Sequence, residues 1–141
     1  MENQNILDQE QIINAESYIN ASATKRFLNY IIDLVVFYAL MFLIGVVGAL
    51  VDPVFVIKYA YVIAIVLLLL YYIVLEGTTS KTIGKMVTGT KVIDEEGNNI
   101  SFKTALLRTL CRLIPLEAFS FFGEGARGWH DSITDTRVVN K

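Results

Sequence analysis

The feature that most constrains this chain is an apolar run from Phe27 to Val51 that carries a single carboxylate, Asp33, near its start. At about 1.5 Å of rise per residue, a helix over that run is about 37 Å long, enough to cross a hydrocarbon core about 30 Å thick with some tilt. An aspartate inside such a helix costs about 2.5–3.5 kcal/mol on insertion scales, so Asp33 must face protein or water instead of lipid. Arg26, seven residues earlier, falls within about 20° of the same helix face, and Asn29 shares that face. Arg26 and Asp33 are about 10.5 Å apart along the axis, too far for a direct ion pair. Each therefore needs a partner from another part of the chain.

A second apolar run, Phe55 to Leu75, follows after Asp52-Pro53. Proline lacks a backbone donor and disfavours helical geometry in the residue before it, so the pair breaks the helix and the two runs form a hairpin with a very short turn. Lys58 lies near the turn, where it can snorkel beside Tyr59 and Tyr61, and Tyr71 and Tyr72 supply an aromatic belt at the other end. Gly45, Gly48 and Ala49 in the first run, and Ala60 and Ala64 in the second, permit close helix approach, although membrane helices are rich in small residues in any case. The chain is 54% hydrophobic and 18% charged, with mean hydropathy +0.50, too apolar for a soluble domain of 141 residues. Its net charge of -2 provides no basic footprint for nucleic acid. Lys25 and Arg26 precede the hairpin and Lys81, Lys85, Lys91 and Lys103 follow it, against Lys58 alone near the turn. Basic residues stay on the cytoplasmic side, so both termini are expected there, in an integral multi-pass protein of the cell membrane.

Residues 1–23 read as a flexible polar tail, and 24–140 as one membrane domain. The tail lacks the basic start of a secretory signal, and Ala21-Ser22-Ala23 precedes the apolar run instead of following it. After the hairpin, Gly77 to Lys85 invites comparison with a phosphate-binding loop. The match fails, because six residues separate Gly77 from Gly84 and Met86 follows Lys85 where a Ser or Thr is required. Thr90 to Phe102, with Glu95-Glu96-Gly97-Asn98-Asn99 at its centre, reads as a small polar β-hairpin in the cytoplasmic loop. From Lys103 to Phe122 runs a third apolar segment in which Thr104, Arg108 and Arg112 form a polar stripe. Two arginines, Pro115 and Glu117 argue for an interfacial or re-entrant amphipathic helix kinked near Pro115 and against a third full span. The competing reading has the arginines snorkelling to lipid phosphates. The fold class expected is thus all-α: a two-span hairpin, the third helix, and the small β-hairpin.

Gly123 to Val139 is glycine-rich and then polar, with Trp129 as a candidate interfacial anchor and Asp131 able to cap a short helical turn. One histidine, His130, and one cysteine, Cys111, cannot assemble the usual zinc site within one chain, and no metal or other cofactor is expected. No nucleophile with a neighbouring base and no nucleotide fingerprint is present, which argues against an enzyme.

With Arg26 heading the first run, Asp33 inside it and Asp131 near the end, the chain resembles the RDD family of small membrane proteins, named for one arginine and two aspartates. Thr82 to Val92 is similar to the family's T-x-G-K-x-x-x-G-x-x-V signature, with Thr82, Gly84, Lys85 and Gly89 at its fixed positions. Ala105 to Arg108 resembles the following helix, and His130 to Val139 the closing H-D-x-x-x-x-T-x-V-V pattern. Thr79-Ser80-Lys81 departs from it, where the family more often has a Gly-Gln-like turn. The resemblance covers about residues 24–140 and implies, at most, transport of an undefined ion or small ligand.

Two functions follow. In the first, Asp33 is an intramembrane site for a proton or cation, coupled to Arg26, Glu76, Arg108, Arg112 and Asp131; two spans enclose no pathway, so a homo-oligomer or partner membrane subunits are required. In the second, the protein is a non-transporting module or accessory subunit whose Arg and Asp residues are structural. The partners expected are the lipid bilayer and other membrane subunits. In the antiparallel hairpin Arg26 comes level with about Glu76 and Asp33 with about Leu69 to Tyr72, where the second span offers it only tyrosine hydroxyls; the counter-charge expected for Asp33 is an arginine of the third segment, Arg108 or Arg112.

Overall fold

The structure is a computed structural model that describes residues 18–113 and 129–140. Its two longest elements are helices α1 (Ala23–Val51) and α2 (Pro53–Thr79), both long and apolar enough to cross a membrane. Ser22 caps the start of α1, its hydroxyl accepting from the Lys25 N–H at 3.3 Å. A single residue separates the helices. The Asp52 N–H closes the end of α1 on the Gly48 carbonyl at 2.8 Å, while its carboxylate caps α2 by accepting from the Phe55 N–H at 3.0 Å, with Pro53 in the first turn. The break read from Asp52-Pro53 is therefore also the start signal of the next helix. Beside it Gly48 meets Val56, whose side chain occupies the space a Cβ on Gly48 would need.

Ser80 ends α2 in the left-handed conformation at φ 55°. Glycine adopts that geometry at less cost, and this is the turn at which the sequence departs from the family pattern. Ser80 repays the strain with three ties: its N–H donates to the Glu76 carbonyl (2.9 Å), its carbonyl accepts from the Val92 N–H (2.8 Å) and its hydroxyl from the Ile100 N–H (3.0 Å). The short helix α3 (Ile83–Thr88) follows, capped by Thr82 and ended by Gly89 at φ 67°.

Strand β1 (Thr90–Asp94) follows, then helix α4 (Phe102–Arg112), helix α5 (Trp129–Ile133) and strand β2 (Thr136–Asn140). The strands pair antiparallel, Val92 opposite Val138. Here the structure corrects the sequence reading, because the expected hairpin within Thr90 to Phe102 returns only as a single bridge between Ile93 and Asn99. The returning segment stops because Ser101 accepts from the Thr104 N–H at 3.2 Å and starts α4 instead. The vacant side of β1 is filled from the far end of the chain. A signal for it was present: Thr136-Arg137-Val138-Val139-Asn140 repeats the order of Thr90-Lys91-Val92-Ile93-Asp94, and the two strands share one burial pattern. On the other edge of β2 the last residues of the polar tail add themselves, with the Ala21 N–H on the Val138 carbonyl and the Asn140 N–H on the Ile19 carbonyl, both at 2.9 Å. Residues 1–17 lie outside the described residues, as do Pro115, Glu117 and the rest of 114–128, so the expected kink falls there too.

A small apolar core of Ala21, Val92, Ile100, Ala105 and Val138 holds this cap together. Around it the polarity is inverted. The hairpin exposes Tyr38, Phe42, Leu50, Val51, Ile57 and Tyr61, whereas the residues buried where hairpin and cap meet include Arg26, Asp33, Glu76, Lys85, Arg108 and Asp131.

Candidate functional site

Asp131, in α5, is wholly buried and receives two guanidinium groups, Nη1 of Arg26 from α1 at 2.6 Å and Nη1 of Arg108 from α4 at 2.5 Å. The imidazole Nε2 of His130 stands 3.4 Å from the same carboxylate. Burial alone opposes ionisation of Asp131, but Arg108, His130 and Arg26 together outweigh it and hold the carboxyl below the ordinary aspartate range. Arg26 also donates from Nε to the Ala21 carbonyl (3.1 Å) and from Nη2 to the Val138 carbonyl (3.2 Å). One side chain thus joins the start of α1 to β2 and α5.

Arg108 is the bridge between this pair and a second cluster. Its Nε donates to Oε2 of Glu76 at 3.0 Å and its Nη1 also donates to the Thr136 hydroxyl. Glu76, near the end of α2, accepts in addition from Lys85 Nζ and Arg112 Nη2, both at 2.8 Å. Burial disfavours the charged form of Lys85 and lowers its pKa, with the Glu76 carboxylate opposing that shift. The Arg112 guanidinium lies over the Tyr72 ring, 4.1 Å from its centroid.

Asp33 is bonded to none of these cations. Its carboxylate accepts from the Tyr71 hydroxyl (2.8 Å), the Thr82 hydroxyl (2.6 Å) and the Gly84 N–H (2.7 Å), and among the described residues it makes no ion pair. Gly84 is required for that approach, since a Cβ there would run into the Asn29 carbonyl and lie 2.9 Å from Asp33 Oδ1. Asn29 completes the contact between α1 and α3, its amide nitrogen donating to the Gly84 carbonyl at 3.1 Å and its oxygen accepting from the Thr90 hydroxyl at 3.0 Å.

Two expected pairings are thereby corrected. Arg26 meets Asp131 instead of Glu76, and Asp33 meets the tyrosine hydroxyl expected from α2 together with the Thr82 hydroxyl and the Gly84 amide, instead of Arg108 or Arg112. The reason is geometric: α3 packs against the first half of α1, so the donors that join Tyr71 of α2 at the depth of Asp33 are those at the start of α3, and Glu76 takes up both arginines of α4. The fully buried Arg108 does not snorkel to lipid. Each fixed position of the loop motif has a contact of its own: Thr82 and Gly84 on Asp33, Lys85 on Glu76, and Gly89 ending α3. Ser80 and Thr90 escaped sequence reasoning because a hydroxyl in a loop or strand carries no periodic signal. Among the described residues, no three His, Cys, Asp or Glu side chains gather as a metal site would need.

The RDD family's sequence profile matches residues 20–135. The chain belongs to the RDD family. The matched stretch holds Arg26, Asp33, the loop motif and Asp131, so two of the family's three eponymous residues are ion-paired to each other and the third is held by neutral donors. No curated protein and no solved structure matches the chain.

Proposed function

We propose that this RDD-family membrane protein is a non-transporting membrane module or accessory subunit, in which the buried charges fasten a cytoplasmic cap onto a two-span hairpin. Counting about 20 residues of hydrocarbon core from the Asp52-Pro53 turn sets the inner boundary near Ile32 on α1 and Tyr72 on α2. Asp33 and Tyr71 then sit at that boundary, and Arg26, Glu76, Lys85, Arg108 and Asp131 at headgroup depth. Both termini face the cytoplasm, in keeping with the basic residues gathered at that end. The observation that supports a structural role is the pairing of both buried carboxylates: Glu76 and Asp131 each accept from two or more guanidinium or ammonium groups, drawn between them from α1, α3 and α4. Between Leu34 and Leu70 the charged side chains are Asp52 and Lys58 only, both near the turn, so a single hairpin offers an ion nothing to follow.

One observation favours the transport reading. Asp33 has no cationic partner among the described residues, and a carboxylate held by exchangeable neutral donors is a site a proton or cation can enter. That reading needs an oligomer or partner subunits to complete a path. Asp33→Asn in purified, liposome-reconstituted protein separates the two. Under the structural proposal neither protein carries ion or proton flux above empty liposomes, and the substitution lowers the fraction of folded protein by an amount worth about 1–3 kcal/mol, the cost of one mismatched buried hydrogen bond. Flux in the parent that disappears in well-folded Asp33→Asn protein overturns it in favour of transport.

A further inference from the structure

Helix α4 is amphipathic in the reverse sense from a helix that faces water. Toward the protein it turns Ala105, Arg108 and Thr109, all fully buried, together with the Glu76-paired Arg112. Away from the protein it turns Leu106, Leu107, Leu110 and its C-cap Leu113, which are 41–46% exposed, and Phe102 at its start, one edge of whose ring lies against Gly77, is 54% exposed. Such a contiguous stripe marks a surface that something apolar covers.

The position of the helix says what. Its start lies against Gly77, where a Cβ would fall 2.5 Å from the Phe102 ring, and its end places Arg112 over Tyr72. It therefore leans along α2 from the cytoplasmic end toward the apolar part of the hairpin, across the depth between Gly77 and Tyr72. That interval is about 7.5 Å of helix, the thickness of the zone between headgroups and acyl chains in which interfacial helices lie. At that depth α2 exposes Val74 and, just beyond it toward the apolar part, Leu70, so the stripe continues an apolar surface already present. Lys103, exposed at the start of α4, falls on the headgroup side.

We infer that α4 is an interfacial membrane helix whose Phe102–Leu113 stripe is covered by phospholipid of the cytoplasmic leaflet, and that lipid thereby presses Arg108 and Arg112 onto Glu76 and Asp131. This rests on the reading that α1 and α2 span the bilayer. The ionic network is then held from outside by the membrane as well as from inside by its own charges.

The test uses the full chain in lipid nanodiscs, with Cys111→Ser as background and a spin label on Leu106→Cys or Leu110→Cys. Val46→Cys in the span and Glu95→Cys in the cytoplasmic loop serve as references. Collision rates with oxygen, which concentrates in lipid, and with a water-soluble nickel chelate report the surroundings. Oxygen accessibility should exceed nickel accessibility at 106 and 110, as at 46, with the order reversed at 95. If 106 and 110 behave like 95 while 46 stays lipid-like, the inference falls and the hairpin stands. Shielding of 106 and 110 from both reagents also overturns it, because protein, such as a second copy of the chain, then covers the stripe. A water-like signal at 46 removes the spanning reading, and the inference with it.

Discussion

The two ends of the hairpin are built on opposite principles. Around the Asp52-Pro53 turn the helices touch through apolar groups, as where Gly48 admits Val56, and large apolar side chains such as Leu50, Val51 and Val54 point outward. At the other end, contacts between elements run through ion pairs and hydrogen bonds that are sealed from solvent. The first arrangement is tolerant, because exchanging one lipid-facing apolar group for another changes few contacts. The second is unforgiving, because removing one member of a buried ionic set leaves the rest charged, unpaired and still desolvated.

Arg108→Met should break this contrast open most visibly. It withdraws one cation from Glu76 and one from Asp131 together, and a loss of about 3–5 kcal/mol is expected, enough to remove most folded protein. Phe42→Ala, on the exposed part of α1, should leave thermal stability in detergent within about 0.5 kcal/mol of the parent. Equal losses from both substitutions would erase the distinction between the two ends.

The glycines sharpen the same comparison at a smaller scale. Gly84→Ala forces a methyl group into the Asn29 carbonyl and Asp33, for an expected loss of about 1–3 kcal/mol. Gly45→Ala meets open space and, as alanine is the better helix former, should be neutral or stabilising by up to about 1 kcal/mol. Melting temperatures of the two variants, measured side by side, decide this.

Acid should act on the charged end, with the smallest effect near neutrality. The folded pKa of Asp131 lies below its unfolded value, so its contribution is fully present above the ordinary carboxylate range, near about 3.9, and is lost as pH falls through that range toward the folded value. Stability followed from pH 7 down to pH 3 should decline at the acid end, and Asp131→Asn, although less stable throughout, should show a shallower decline. An unchanged slope in the variant would mean that the Arg26 and Arg108 pairings place no demand on its ionisation.

Legibility followed the range of the interactions. The two long helices and their break were readable because hydropathy and the Asp52-Pro53 punctuation act within a few residues. The RDD motifs were readable as well, and they named Arg26, Asp33, Thr82, Gly84, Lys85 and Asp131 without saying which touches which. Facial periodicity put Arg26, Asn29 and Asp33 on one side of α1, and all three are indeed buried there. Tyr71 on α2 followed from the antiparallel register of the hairpin, but the other partners came from α3, β1, β2, α5 and the turns beside them, as far as 112 residues away in sequence, where no local spacing rule reaches.

What the sequence determined by itself is thus where the chain turns apolar, where it must break, and that charges set among apolar residues need partners. What only the tertiary structure decided is the pairing. Arg26 went to Asp131, Glu76 gathered three cations, and Asp33 was left to two hydroxyls and an amide. A carboxylate accepts from any donor that arrives with the right geometry, and which donor arrives is fixed by how β2 closes on β1 and α3 packs against α1.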